Sequence, residues 1–76
     1  MVAIHIRTFG FNDEDAKLIE QTLLHLSGVA AVVVAKSMHL TSVLYEESLI
    51  GWKAIVRAIR ELGFEAVAVR PLAHGA

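Results

Sequence analysis

The chain has 76 residues, of which 55% are hydrophobic and one is proline, so it is predicted to form one small folded domain rather than a disordered segment. Seven basic residues against eight acidic ones give a formal net charge of −1, which leaves no broad positive field to recruit nucleic acid or an anionic membrane. Cysteine is missing, which excludes disulfides and thiolate chemistry, and no apolar stretch approaches the roughly 20 residues that insert across a bilayer.

The first half of the chain predicts a strand, a helix and a second strand. Residues 2–8 alternate between apolar and polar side chains, with Ile4 and Ile6 on the side expected to face the core. Across residues 13–26, apolar side chains recur every three or four positions, as in an amphipathic helix. Residues 29–35 are a β-branched run and predict the next strand.

The second half predicts a hairpin, a second helix and a last strand. Residues 36–38 separate the second strand from another β-branched run at 39–46, which is the spacing of a hairpin. Apolar side chains within residues 51–62 share one face and predict the second helix. Residues 64–69 then form a short strand before a proline.

The order of these elements predicts the ferredoxin-like fold. In this α+β βαββαβ sandwich, a four-stranded antiparallel sheet carries both helices on one face. We expect the domain to comprise residues 1–70 and to be followed by a tail or linker at 71–76. Because this fold hosts ligand sites, RNA-binding sheets, hydrolases and metal carriers, function has to be inferred from particular residues.

Two long segments carry a family resemblance. They are "IEQTLLHLSGVAAVVV" at residues 19–34 and "SVLYEESLIGWKAIVRAIRELGFEA" at residues 42–66. Both are similar to the heavy-metal-associated domain of copper-transporting P-type ATPases and copper chaperones, and the resemblance extends over residues 3–69. It implies a non-catalytic, cytoplasmic domain, which would be an N-terminal module of a copper-transporting ATPase.

The sequence departs from that family between the first strand and the first helix. Family members carry Met-x-Cys-x-x-Cys there, because two thiolates suit the soft Cu(I) ion. Aligning the helix places the two cysteine positions on Asn12 and Asp15, and aligning the strand places Phe9 at the methionine position. Neither alignment provides a thiolate, so no metal ligand is carried over and no cofactor is expected. The equivalent of the family's metal loop comprises Phe9, Phe11, Asn12, Asp15 and Phe64.

The acidic start of the first helix has two interpretations. Asn12 and Asp15 have the spacing of a capping box, and acidic side chains in the first turn interact favourably with the helix dipole. Alternatively, the same two side chains bind a hard cation, although successive helical side chains point in different directions and calcium needs six to eight oxygens. We favour capping. Met38 and His39 are a second pair of candidate metal ligands, against the simpler interpretation of an exposed turn.

The sequence contains no recognisable catalytic motif. No acid or base is placed beside a serine, no glycine-rich phosphate loop follows the first strand, and the strands lack the stacking aromatics of RNA-binding sheets. We therefore expect neither an enzyme nor a nucleic-acid-binding protein. Phe9, Phe11 and Phe64 are expected to cluster with Trp52 near the first loop, because both helix starts and the last turn are expected to meet there.

The face of the sheet that the helices leave uncovered is the candidate interaction surface. If alternate strand residues form the core, then His5, Val33, Leu40 and Leu44 point outward beside Ser42. Single exposed valines and leucines are also normal on protein surfaces. We expect docking or regulation, with sister metal-binding domains, a copper chaperone or the transporter body as partner, and weak self-association as a further option. The alternatives are residual metal transfer, including copper, through non-thiolate ligands, or a free-standing domain regulated by a small ligand.

Overall fold

The computed structural model describes residues 1–69. Its elements are β1 (Val2–Phe9), α1 (Asp13–Leu24), β2 (Val29–Ala35), a short 3₁₀ helix (Lys36–Met38), β3 (Leu40–Tyr45), α2 (Trp52–Glu61) and β4 (Glu65–Val69). The order of strands and helices predicted from the sequence is confirmed. The predicted tail at 71–76, and the last residue of the predicted domain, lie outside the described residues.

The four strands form one antiparallel sheet in the order β2-β3-β1-β4. β1 and β3 lie at the centre, where Ile4 pairs with Val43, and β2 and β4 are the two edges. β1 also pairs with β4, from His5 opposite Val69 to Phe9 opposite Glu65, so the first and last strands are neighbours. This arrangement confirms the predicted ferredoxin-like fold.

The core lies between the sheet and the two helices. Strand residues alternate between buried and exposed, and each helix contributes an apolar stripe at helical spacing. The buried apolar residues are Ile4, Ile6, Ile19, Leu23, Val32, Val43, Tyr45, Ile55, Val56, Ile59 and Ala66. Val34 of β2 is half-buried and packs against this cluster. Burying each large side chain contributes about 1.5–3 kcal/mol to folding.

Two threonines are the buried polar residues in the part of the chain described. The hydroxyl oxygens of Thr8 and Thr41 lie 3.1 Å apart, and the Thr8 hydroxyl donates to the carbonyl oxygen of Ile6 at 3.2 Å. Their partners offset the cost of removing the hydroxyl groups from water.

The connections between elements lie at two opposite ends of the sheet. We call the end that carries residues 9–13, 36–39 and 62–64 the loop end, and the end that carries residues 25–28 and 46–51 the far end. β3 runs from the loop end to the far end, where the Glu46 N–H donates to the Gly28 carbonyl at 2.7 Å.

The two helices therefore begin at opposite ends of the sheet. α1 starts at the loop end, directly after β1, whereas α2 starts at the far end, directly after β3. Trp52 is the first residue of α2 and packs against the core from that side. The prediction that Trp52 joins the aromatic residues near the first loop is wrong, because the direction of β3 carries it away from them.

Candidate functional site

The first turn of α1 is closed by reciprocal hydrogen bonds. Asn12 is the N-cap, and its side-chain oxygen accepts from the Asp15 N–H at 2.8 Å. The Asn12 N–H donates in return to Asp15 Oδ2 at 3.1 Å. The capping box predicted from the sequence is confirmed. Consequently, each of the two side chains considered as a cation ligand already uses one oxygen to hold the helix start.

The other acidic residues of this turn do not complete a cation site. Asp13 Oδ1 lies 3.2 Å from Nζ of Lys36, the first residue of the 3₁₀ helix, and the Asp13 side chain is 88% exposed. Such an exposed pair contributes about 0–1 kcal/mol. Among residues 1–69, no group of three or more histidine, aspartate or glutamate side chains is arranged to hold a metal ion.

Aromatic side chains occupy the rest of the loop end. Phe11 and Phe64 meet edge to face, with ring centroids 6.4 Å apart and an interplanar angle of 73°, and both pack against the core. The Phe9 ring stacks on His39 at 5.2 Å. The structure thus places Phe9, Phe11 and Phe64 at the same end as the capping box. Aromatic pairs of this kind contribute about 0.5–1.5 kcal/mol beyond their burial.

The two candidate metal ligands of the hairpin have different environments. Met38 is 66% exposed at the end of the short 3₁₀ helix. His39 has a positive φ of 52°, and its carbonyl oxygen accepts from the Thr8 N–H at 2.9 Å. Because the His39 ring also stacks on Phe9, the histidine ties the hairpin to the end of β1.

The uncovered side of the sheet, which we call the open face, consists of outward-pointing residues from all four strands. Val33 is 64% exposed and Leu44 is 39% exposed, whereas Leu40 is half-buried. His5 Nδ1 and the Ser42 hydroxyl form a hydrogen bond of 2.7 Å across the two central strands. The structure therefore brings the predicted surface residues onto one face. A shallow apolar depression of about 120 Å³ is lined by Ala3, Ala31, Val33, Ser42, Val43 and Leu44.

Sequence reasoning missed part of the open face. Val67 and Val69 on β4 are 55% and 37% exposed, and Val67 pairs with the outward-pointing Arg7. The alternation within β4 contains the necessary signal, because Ala66 is buried between exposed neighbours. Exposed apolar side chains therefore lie on β4 as well, separated from those of β2 and β3 by His5 and Arg7 of β1.

Known structures share the fold over most of the chain, although the sequence matches no protein-family model and no curated protein. A copper binding domain from HMA7, a P-type ATPase, superposes with a TM-score of 0.88 at 24% identity, covering 92% of this chain and 96% of that chain. The copper chaperone of Enterococcus hirae in its apo form gives a TM-score of 0.82 at 25% identity, covering 87% of this chain and 98% of that chain. The yeast copper transporter domain Ccc2a gives a TM-score of 0.84 at 19% identity, covering 90% of this chain and 94% of that chain. The chain has the heavy-metal-associated domain fold.

The donor atoms of the first loop, residues 9–13, do not suit the Cu(I) ion. A soft ion prefers thiolate or thioether ligands, whereas Asn12 and Asp15 provide hard oxygen atoms that are engaged in the capping box. Phe9 and Phe11 provide no ligand atom. This heavy-metal-associated fold therefore holds its first loop together without the chemistry that a thiolate motif would supply. Within residues 1–69, neither helix is long and apolar enough to cross a membrane.

Proposed function

We propose that this chain is a non-catalytic heavy-metal-associated-type domain that acts by docking or regulation rather than by binding copper through thiolates. We place it in the cytoplasm, as an N-terminal module of a copper-transporting P-type ATPase. One observation carries the proposal. In a domain of this fold, the first loop is occupied by the Asn12–Asp15 capping box and the Phe11–Phe64 contact.

The open face is the surface that we propose for docking. Val33 and Leu44 are exposed on it, and Leu40 is half-buried between them and the loop end. A partner that removes this apolar surface from water gains about 25 cal/mol per Å². The His5–Ser42 hydrogen bond adds polar groups at the centre of the surface. The partner classes are a sister metal-binding domain, a copper chaperone or the transporter body.

An NMR titration with a sister domain or a copper chaperone tests this proposal. We expect shifts centred on Val33 and Leu44, and a dissociation constant raised about tenfold by Leu44→Thr because apolar contact is lost. The matched control is Leu49→Thr, a change of the same kind at a residue that is 68% exposed at the far end. It should not change binding. Shifts confined to the loop end would show that the open face is the wrong surface.

Residual metal transfer through non-thiolate ligands is the second candidate function. It is favoured by one observation, which is that Met38 is exposed beside His39 at the hairpin tip. Competition against a high-affinity Cu(I) chelator distinguishes the two functions. We expect the chain to retain no copper, because it offers at most one thioether and imidazole at this tip. Stoichiometric retention that Met38→Leu abolishes would support metal transfer instead.

A further inference from the structure

The two edges of the sheet differ in how they are protected. β2 is a run of seven uncharged apolar residues, VAAVVVA. On β4, the carbonyl of Ala66 accepts a hydrogen bond of 2.9 Å from Arg60 Nε, and Glu65 begins the strand. Soluble proteins usually blunt an edge with charge, proline or a covering side chain. The β2 strand carries none of these between Ala31 and Ala35.

A hydrogen bond between β1 and the residue before β3 shows which way the backbone groups of β3 point. The Thr8 N–H donates to the carbonyl of His39, the residue just before β3, so this carbonyl points toward β1. Successive residues of an antiparallel strand direct their N–H and C=O groups to opposite neighbours. Ser42 is three residues further on and therefore directs its backbone groups toward β2.

The same alternation identifies the free backbone groups of β2. Val33 pairs with Ser42 and so bonds to β3. Its neighbours Val32 and Val34 consequently direct their N–H and C=O groups to the open edge. The bulge of this strand lies between Val29 and Ala31, before the segment in question. Residues 31–35 therefore form a regular edge, on which the backbone N–H and C=O groups of two residues point away from the sheet.

This edge is self-complementary about Val33. Suppose that a second copy pairs antiparallel with this strand so that the two Val33 residues lie opposite each other. Val32 of each copy then lies opposite Val34 of the other. Each of those two pairs forms two N–H···O=C hydrogen bonds. The two Val33 side chains, each 64% exposed in the single chain, then contact each other on the open face.

The side of α1 nearest to β2 carries matching charges. Asp13, Lys17, Glu20 and Leu24 are exposed and follow the spacing of one helix face. The ion pair between Asp13 and Lys36, together with the packing of α1 against β2, places this face on the β2 side. In the two-fold arrangement the two helices run antiparallel. Lys17 of each copy then faces Glu20 of the other.

We propose that β2 is a self-association edge, through which two copies join their four-stranded sheets into one continuous sheet about Val33. The occupant of the edge is a second copy of this chain. Its β2 strand provides the matching hydrogen-bond partners, and its exposed α1 face provides the opposite charges. This inference does not depend on the proposed function, since it requires no neighbouring domain.

Sedimentation velocity over a concentration series tests the charge pattern. Lys17→Glu should raise the dimer dissociation constant about tenfold, because Glu then faces Glu20 of the second copy. Adding Glu20→Lys should return the dissociation constant to within about threefold of the wild-type value, because exchanging the two charges preserves their complementarity in a symmetric pair. Lys53→Glu on α2 is the matched control and should have no effect. Failure of the swap to restore association would overturn the proposal.

The edge itself is tested by placing a charge at its centre. Val33→Lys should abolish the dimer, because two lysines would meet at the closest pair of the ladder. Val67→Lys, at a residue 55% exposed on the other edge strand, should leave it intact. Circular dichroism of each variant confirms folding. A wild-type chain that stays monomeric up to about 1 mM would overturn the proposal, as would a dimer lost only with Val67→Lys.

Discussion

At the loop end, the chain turns from β1 into α1 through side-chain hydrogen bonds, whereas at the far end it turns from α1 into β2 through close packing. The Asn12–Asp15 capping box makes the first turn. At the second, a Cβ atom on Gly28 would lie 2.9 Å from side-chain atoms of both Leu49 and Ile50. Gly10, in the first turn, also has a positive φ of 85°, but a Cβ atom there would meet nothing within 4 Å, so of these two turns the one at Gly28 is closed by packing. The first turn is thus held by side-chain hydrogen bonds in a chain that has no thiolate motif.

The largest expected effect is that of Gly28→Ala. Gly28 has a φ of +96°, and the added methyl group would also press on Leu49 and Ile50. We expect the free energy of unfolding to fall by about 2–4 kcal/mol, from backbone strain and overpacking together. Chemical denaturation measures it.

Gly63→Ala is the matched control for this prediction. Gly63 has a similar φ of +101°, but a Cβ atom there would meet nothing within 4 Å. We expect a loss of about 1–2 kcal/mol from the backbone conformation alone. Equal losses in the two variants would show that the far end is not closed by packing.

A smaller effect is expected when the capping box is broken. Asn12→Ala removes the acceptor of the Asp15 N–H and should lower the free energy of unfolding by about 0.5–2 kcal/mol. Glu14→Ala removes an acid from the same turn without touching the box and should cost about 0.3–1 kcal/mol. Denaturation of both variants at one ionic strength gives the comparison. An unchanged stability for Asn12→Ala would mean that the loop end is held by its aromatic contacts.

The smallest effect is expected from calcium. The carboxylates of the first turn do not converge, so millimolar calcium should shift the melting temperature of the wild-type chain by less than about 1 °C. Magnesium at the same concentration is the control for a general salt effect. A large upward shift specific to calcium would overturn the capping interpretation and assign a cation site to Asn12 and Asp15.

The sequence predicts the fold well because its periodic patterns are local. Strand alternation and helical spacing place every element in the correct order, and the capping box follows from two residues three positions apart. The end of α1 is less well predicted. The helix stops at Leu24, and Leu26, expected within it, packs against the core from the following turn.

Contacts between distant elements are predicted less well. Trp52 was expected beside Phe11, but its position depends on the direction in which β3 crosses the sheet. The stacking of Phe9 on His39 depends on the positive φ of a histidine after a 3₁₀ turn. The His5–Ser42 bond depends on strand register. None of these features is encoded in the spacing of nearby residues.

The pairing of β1 with β4 determines when this domain can finish folding during synthesis. His5 lies opposite Val69, so one side of β1 cannot pair until the ribosome has synthesised β4, the last strand. Bringing these distant residues together costs conformational entropy before the stabilising contacts between them have formed. Such non-local pairing slows folding. A nascent chain halted after α2 would leave one side of β1 without its neighbouring strand. The central strand would then be an edge open to other chains until β4 emerges.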